Sequence, residues 1–117
     1  MLVHADLGLH NVVVDPETLR VAGVIDYEGA VYGDRHQDFA VMVFQQDEEP
    51  MFEGALAVYE PLTGTKIDRD RVLLLNAVAA IGFLGFRHGH PPEEAWCGRT
   101  LDEDLAWTQA ALVRAGI

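Results

Sequence analysis

Three hard oxygen donors stand close together at the start of the chain: the carboxylate of Asp6, the amide of Asn11 and the carboxylate of Asp26. Each lies at the edge of an apolar run. Asp6 and Asn11 bracket Leu7-Gly8-Leu9-His10, Val12-Val13-Val14 follows at once, and Val24-Ile25 leads into Asp26-Tyr27-Glu28. If those two runs pair, the three side chains converge on one spot. An amide oxygen and a carboxylate suit Mg2+, which takes oxygen ligands and fills its remaining positions with water and phosphate oxygens. A further carboxylate facing an incoming hydroxyl can orient it and receive its proton. With the metal, that is most of what phosphoryl transfer asks of a protein. Asn11 and Asp26 fit the metal role, and Asp6 the hydroxyl. His4, Asp6 and His10 form a rival grouping for zinc, but no further His or Cys supports it at ligand spacing, and Cys97 is the sole cysteine.

Positioning these residues requires a small β framework. Residues 1–4 and 11–15 read as strands on either side of a loop, and 19–25 as a third strand. Asp15-Pro16-Glu17-Thr18 has turn chemistry: Pro presets φ and Asp bonds backbone two residues on. Residues 29–35, with two glycines and Asp34, read as an irregular loop. From Gln37 the apolar period becomes helical through Phe39, Ala40, Met42, Val43 and Phe44, with Asp38 in the favourable first turn. Residues 45–50 form an acidic loop. A second helix spans 50 to about 59, with Pro61 beyond its end. Asp68 or Asp70 caps a third, apolar over 72–86 and stopped at Gly89-His90-Pro91-Pro92. Thr100-Leu101-Asp102-Glu103 is a capping box opening a fourth, which runs to Arg114 and closes at Gly116. The pattern is α+β, a small hairpin followed by about four helices. Phe83, Phe86 and Trp107 read as core, and His36, His88 and His90 as surface or loop residues.

Composition narrows the partners. The chain has 117 residues, half of them apolar, which suits one folded domain. Eight basic against nineteen acidic residues give a formal charge of −11. A field of that sign repels nucleic acid and anionic lipid surfaces, and is compatible with a cationic ligand. A lone cysteine suits a reducing cytoplasm. There is no secretion-signal pattern, and the run over 72–86 is short of a bilayer span.

His4-Ala5-Asp6 with Asn11, then Ile25-Asp26-Tyr27-Glu28, Gly33-Asp34-Arg35 and Asp38-Phe39-Ala40 together resemble the aminoglycoside phosphotransferase family. Its members are ATP-dependent small-molecule kinases with a protein-kinase-like fold. The motifs occupy residues 2–40, and the helical part, 37–117, looks like the family's carboxy-terminal lobe. By position, the resemblance implies that Asp6 is the catalytic carboxylate, that Asn11 and Asp26 hold Mg2+, and that His4 and Asp38 brace the catalytic loop. Ala5 stands where the family usually has Gly, and a backbone needing positive φ there would be strained by a Cβ. Tyr27 stands where Trp or Phe is frequent. Glu28, Asp47, Glu48, Glu49 and Glu53 are candidates for an acidic wall facing a polycationic acceptor such as an aminoglycoside.

In the family, a nucleotide-binding amino-terminal lobe with a phosphate-binding lysine precedes the catalytic loop. Here Met1 adjoins that loop, and Lys66, the sole lysine, follows it. The expectation is therefore a carboxy-terminal lobe that transfers the γ-phosphoryl of ATP to a hydroxyl only weakly, or not at all, by itself. The face a nucleotide lobe would cover is then expected to be met by that lobe or by self-association. A non-catalytic interaction module built on the same lobe is the alternative, and a small metal-dependent hydrolase a third.

Overall fold

Hairpin geometry follows directly from the Val-rich runs and the turn between them. The computed structural model describes residues 1–42, 49–91 and 99–117, with Met42 and Glu49 given by backbone alone. Strand β2 (Val12–Val14) pairs antiparallel with β3 (Val21–Val24), Val12 opposite Val24 and Val13 opposite Gly23, before a bulge shifts Val14 onto Val21. The turn is built on Asp15. Its Oδ1 accepts the backbone N–H groups of Glu17 and Thr18, both at 2.9 Å, and its carbonyl accepts that of Leu19 at 2.9 Å. Leu19 takes φ +55° to close it. Asn11 belongs to a single 3-10 turn (Leu9–Asn11) instead of the strand, but its carbonyl continues the ladder by accepting the Ile25 N–H at 3.0 Å. That bond puts Asp26 next in line.

Residues 29–35 are more regular than expected. Val31–Tyr32 form a short strand, β4, antiparallel to β1 (Leu2–Val3), with Leu2 opposite Tyr32 and Val3 opposite Val31. Two residues give no periodicity for sequence reasoning to detect, whereas their backbone groups find partners on β1. The 3-10 turn Tyr27–Gly29 joins the two sheets.

Asp34 starts helix α1 (His36–Met42), its Oδ1 accepting the His36 N–H at 3.1 Å. His36, expected at the surface, is half-buried. Its Nδ1 donates to Asp34 Oδ1 at 2.5 Å, and its Nε2 accepts the Asp68 N–H at 3.2 Å, which fixes the Nδ1–H tautomer. Helix α2 (Glu49–Thr63) runs past Pro61, which sits in its last turn. The missing N–H there leaves only the carbonyl of Ala57, and both residues are exposed, so water can satisfy it. Phe39 meets Phe52 and Tyr59 edge-on, at 6.3 and 5.0 Å between ring centroids. With Val3, Ala40, Leu56 and Ile67 they form the core of the first of two compact units, Met1–Asp68.

The second unit, Arg69–Ile117, holds helices α3 (Arg69–Arg87) and α4 (Leu101–Arg114). The Thr100–Glu103 capping box forms as expected, with both reciprocal hydrogen bonds present. Val72, Ala77, Ala80, Trp107 and Ala111 are its apolar core. Phe83 meets Trp107 edge-on at 5.8 Å, and the Arg99 guanidinium lies over both rings. Phe86 departs from expectation. It is 75% exposed, because only one face of α3 is buried and Phe86 lies off it. Buried Asp104 accepts Arg99 Nε at 2.8 Å and lies 3.5 Å from Arg87 Nη1, so its charge is paired. Among the described residues this is a mixed α+β chain of two two-stranded sheets and four α-helices. No described helix is long and apolar enough to cross a membrane.

Candidate active site

The loop between β1 and β2 is fastened from three sides. Asp38, in the first turn of α1, spreads its carboxylate across two backbone N–H groups: Oδ2 accepts from His4 at 3.1 Å and Oδ1 from Ala5 at 2.8 Å. Buried His4 spans the other direction. Its Nε2 donates to the Ile25 carbonyl at 2.8 Å and its Nδ1 accepts the Asp6 N–H at 3.3 Å, so the neutral Nε2–H tautomer is selected by its partners. The ring also packs against Tyr27 at 4.8 Å between centroids. Through His4 the segment bearing Asp6 is tied to the strand end bearing Asp26. The third fastening is Asn11, whose Nδ2 donates to the Asp6 carbonyl at 2.9 Å and to Asp6 Oδ2 at 3.1 Å.

Local backbone geometry turns the acids outward. Ala5 sits at φ +69° and Asp26 at φ +65°, left-handed conformations that L-residues rarely adopt. Such outliers persist where the surrounding hydrogen bonds over-determine them, as the Asp38 and His4 bonds do beside Ala5. Asp6 and Asp26 are both exposed, while Asn11 is buried.

The free donors here are oxygens, the ligand type that Mg2+ takes. Asn11 commits its amide nitrogen to Asp6, which leaves Oδ1 without a hydrogen bond among the described residues. The Asp26 carboxylate makes none either, and does not cap the 3-10 turn it precedes. Asn11 Oδ1 and both oxygens of the Asp26 carboxylate are therefore uncommitted among the described residues, on residues that flank the Asn11–Ile25 ladder bond. The zinc alternative does not assemble: both ring nitrogens of His4 are occupied, and no described group of three or more His, Cys, Asp or Glu is gathered to hold a metal ion.

The candidate acidic wall is only partly visible. Glu28 lies exposed in the 3-10 turn after Asp26, and Glu53 is exposed on α2. Asp47 and Glu48 lie outside the described residues, and the Glu49 side chain is likewise not described. Sequence reasoning related His10 to Asp6 only as a zinc grouping and missed the hydrogen bond between them, Asp6 Oδ2 lying 3.3 Å from the His10 Nε2. Only the four-residue spacing hinted at it. It also missed a cavity of about 330 Å3 beside the loop, lined by Leu7, Arg35, Phe39, Val58, Tyr59 and Leu62.

Comparison with known proteins gives the chain a family. Residues 1–75 match the model of the phosphotransferase enzyme family. The chain is 36% identical over 76 residues to an aminoglycoside 3'-phosphotransferase of Streptomyces fradiae, covering 62% of this chain and 28% of that protein. It is 44% identical over 43 residues to a streptomycin 3''-kinase of Streptomyces griseus, covering 37% of this chain and 16% of that protein. The chain thus spans less than a third of the length of these curated relatives. No solved structure matches. With the family model matching well over half of its residues, this chain belongs to the aminoglycoside phosphotransferase family.

Proposed function

We propose that this chain carries the catalytic loop and metal-binding residues of an ATP-dependent phosphotransferase that acts on a hydroxyl of a small, cationic molecule of the aminoglycoside kind. The observation that carries the reading is the state of Asp6, Asn11 and Asp26: one exposed carboxylate held by an amide, with the amide oxygen and the second carboxylate left without hydrogen bonds among the described residues. Asp6 orients the acceptor hydroxyl and takes its proton as that oxygen forms a bond to the γ-phosphorus and the bond to ADP breaks. Asn11 Oδ1 and the Asp26 carboxylate would hold Mg2+, which when bound neutralises charge on the phosphates. His4 and Asp38 keep the loop in shape. Glu28 and Glu53, with Asp47, Glu48 and Glu49, supply negative charge for the acceptor's ammonium groups.

In this reading the residues form the carboxy-terminal lobe of a kinase-like fold in the cytoplasm, where ATP is available. Adenine and most phosphate contacts come from a nucleotide-binding lobe outside these residues. The isolated polypeptide is then expected to turn over weakly or not at all. The test incubates the natural protein that carries these residues with Mg·ATP and a panel of aminoglycosides, simple sugars and amino alcohols, and follows ADP and phosphorylated acceptor together. Equal amounts of both, with the aminoglycosides preferred, support the proposal. ADP without phosphorylated acceptor points to the hydrolase alternative, and neither product to the interaction module.

A further inference from the structure

His10 is an exposed imidazole in the catalytic loop with no part in the reading above. Its Nε2 lies 3.3 Å from Asp6 Oδ2, the same oxygen that accepts the Asn11 Nδ2 at 3.1 Å. A carboxylate only accepts, so the imidazole donates here. Asp6 Oδ1 meanwhile has no hydrogen bond from any described residue. Held by the Asn11 donor alone, Asp6 leaves this position when one side-chain hydrogen bond breaks, whereas with His10 also on Oδ2 two must break together, so the side chain stays in this rotamer. The pair is open to solvent, with 65% of the His10 side chain and 56% of that of Asp6 exposed, so it adds little to folding.

Gly8 gives an independent view of the same seat. A Cβ at this position would lie 2.5 Å from His10 Cε1 and 2.7 Å from Nδ1, and would meet nothing else so closely. The backbone of Gly8 is extended, at φ −96° and ψ 168°, where any residue is at ease. The absent side chain thus makes room for the imidazole to lie back towards Asp6, and is not required by the chain path.

We propose that His10 is a positioning residue, holding the Asp6 side chain in the χ1 rotamer that presents its carboxylate to the acceptor hydroxyl, and that Gly8 is small in order to seat it. The inference rests on the phosphotransferase reading for its purpose, but the hold itself can be measured without turnover. Because the exposed ring can move aside, Gly8→Ala displaces His10 while leaving Asp6 and Asn11 unaltered. His10→Gln keeps a donor of similar reach.

Three-bond couplings from the backbone N and carbonyl carbon to Asp6 Cγ read its χ1 in solution. A single rotamer is expected in the unaltered chain and in His10→Gln, with averaging in His10→Ala and Gly8→Ala. In the natural protein, kcat is expected to fall about tenfold in His10→Ala and Gly8→Ala, a misplacement effect, with KM for ATP unchanged and His10→Gln largely restored. The double variant should be no slower than either single one. Averaging in the unaltered chain, a single rotamer in His10→Ala, or multiplying losses in the double variant would overturn the inference. The expected rotamer pattern without any Asp6-dependent phosphotransfer would support the hold and overturn the phosphotransferase reading instead.

Discussion

At Ala5 the loop accepts a conformation its side chain disfavours. φ is +69°, and the N–H is fastened to Asp38 Oδ1 at 2.8 Å, so the strain stays in place. Glycine at this position removes the Cβ clash, and Ala5→Gly is expected to raise stability by about 1 kcal/mol, less the extra entropy glycine has in the unfolded chain. A urea melt checks it, and an unchanged or lower midpoint would mean the strain is relieved elsewhere. At this scale the residue types were legible. Asp6, Asn11 and Asp26 stood out because few side chains can bind a divalent cation or orient a hydroxyl, and each flanks an apolar run. Asp38 was legible as a helix-start carboxylate and, through the family resemblance, as a brace for the loop, but the two N–H groups it spans were not, since 33 residues separate it from Ala5. The partner of His10 was hidden for another reason: periodicity carries no information about where an exposed side chain points.

Helix α4 shows how far an element can be read from a local motif. Thr100 and Glu103 satisfy each other's backbone N–H groups, and Thr100→Ala is expected to cost about 1 kcal/mol in thermal or chemical unfolding. The N–H and hydroxyl of Thr100 hold the Glu103 carboxyl below its ordinary value of 4.5, and the N–H groups of Thr18 and Glu17 hold that of Asp15 below 3.8. In acid, the unfolded chain therefore binds more protons at both groups than the folded one. Their stabilisation is fully present above the ordinary values and is lost as pH falls through the lowered folded values. Glu103→Gln is expected to flatten stability against pH below about 4.5, as measured by melts across that range. Elements defined by long-range backbone pairing were less legible. β4 has two residues and becomes a strand only because β1 lies beside it. Pro61 reads as a stop signal, yet an exposed last turn tolerates it. Phe86 reads as core from its place in an apolar run, whereas α3 buries a single face.

Across the whole molecule, the −11 charge favours cations over anions, which agrees with the metal and the ammonium-bearing acceptor proposed above. The site draws on both sheets and on α1, all within the unit Met1–Asp68, and the family match, residues 1–75, covers that unit. Family membership was legible because four short motifs kept their order. In the proposed division of labour, Asn11 and Asp26 hold the metal and its nucleotide, and Asp6 serves the acceptor. The most direct measurement compares Mg·ATP affinity and kcat in the natural protein and its Asp6→Asn and Asp26→Ala variants. Asp6→Asn is expected to keep its affinity for Mg·ATP while kcat falls by about 10²–10⁴-fold, and Asp26→Ala to lose that affinity. Undiminished turnover in Asp6→Asn, or undiminished Mg·ATP binding in Asp26→Ala, would contradict it.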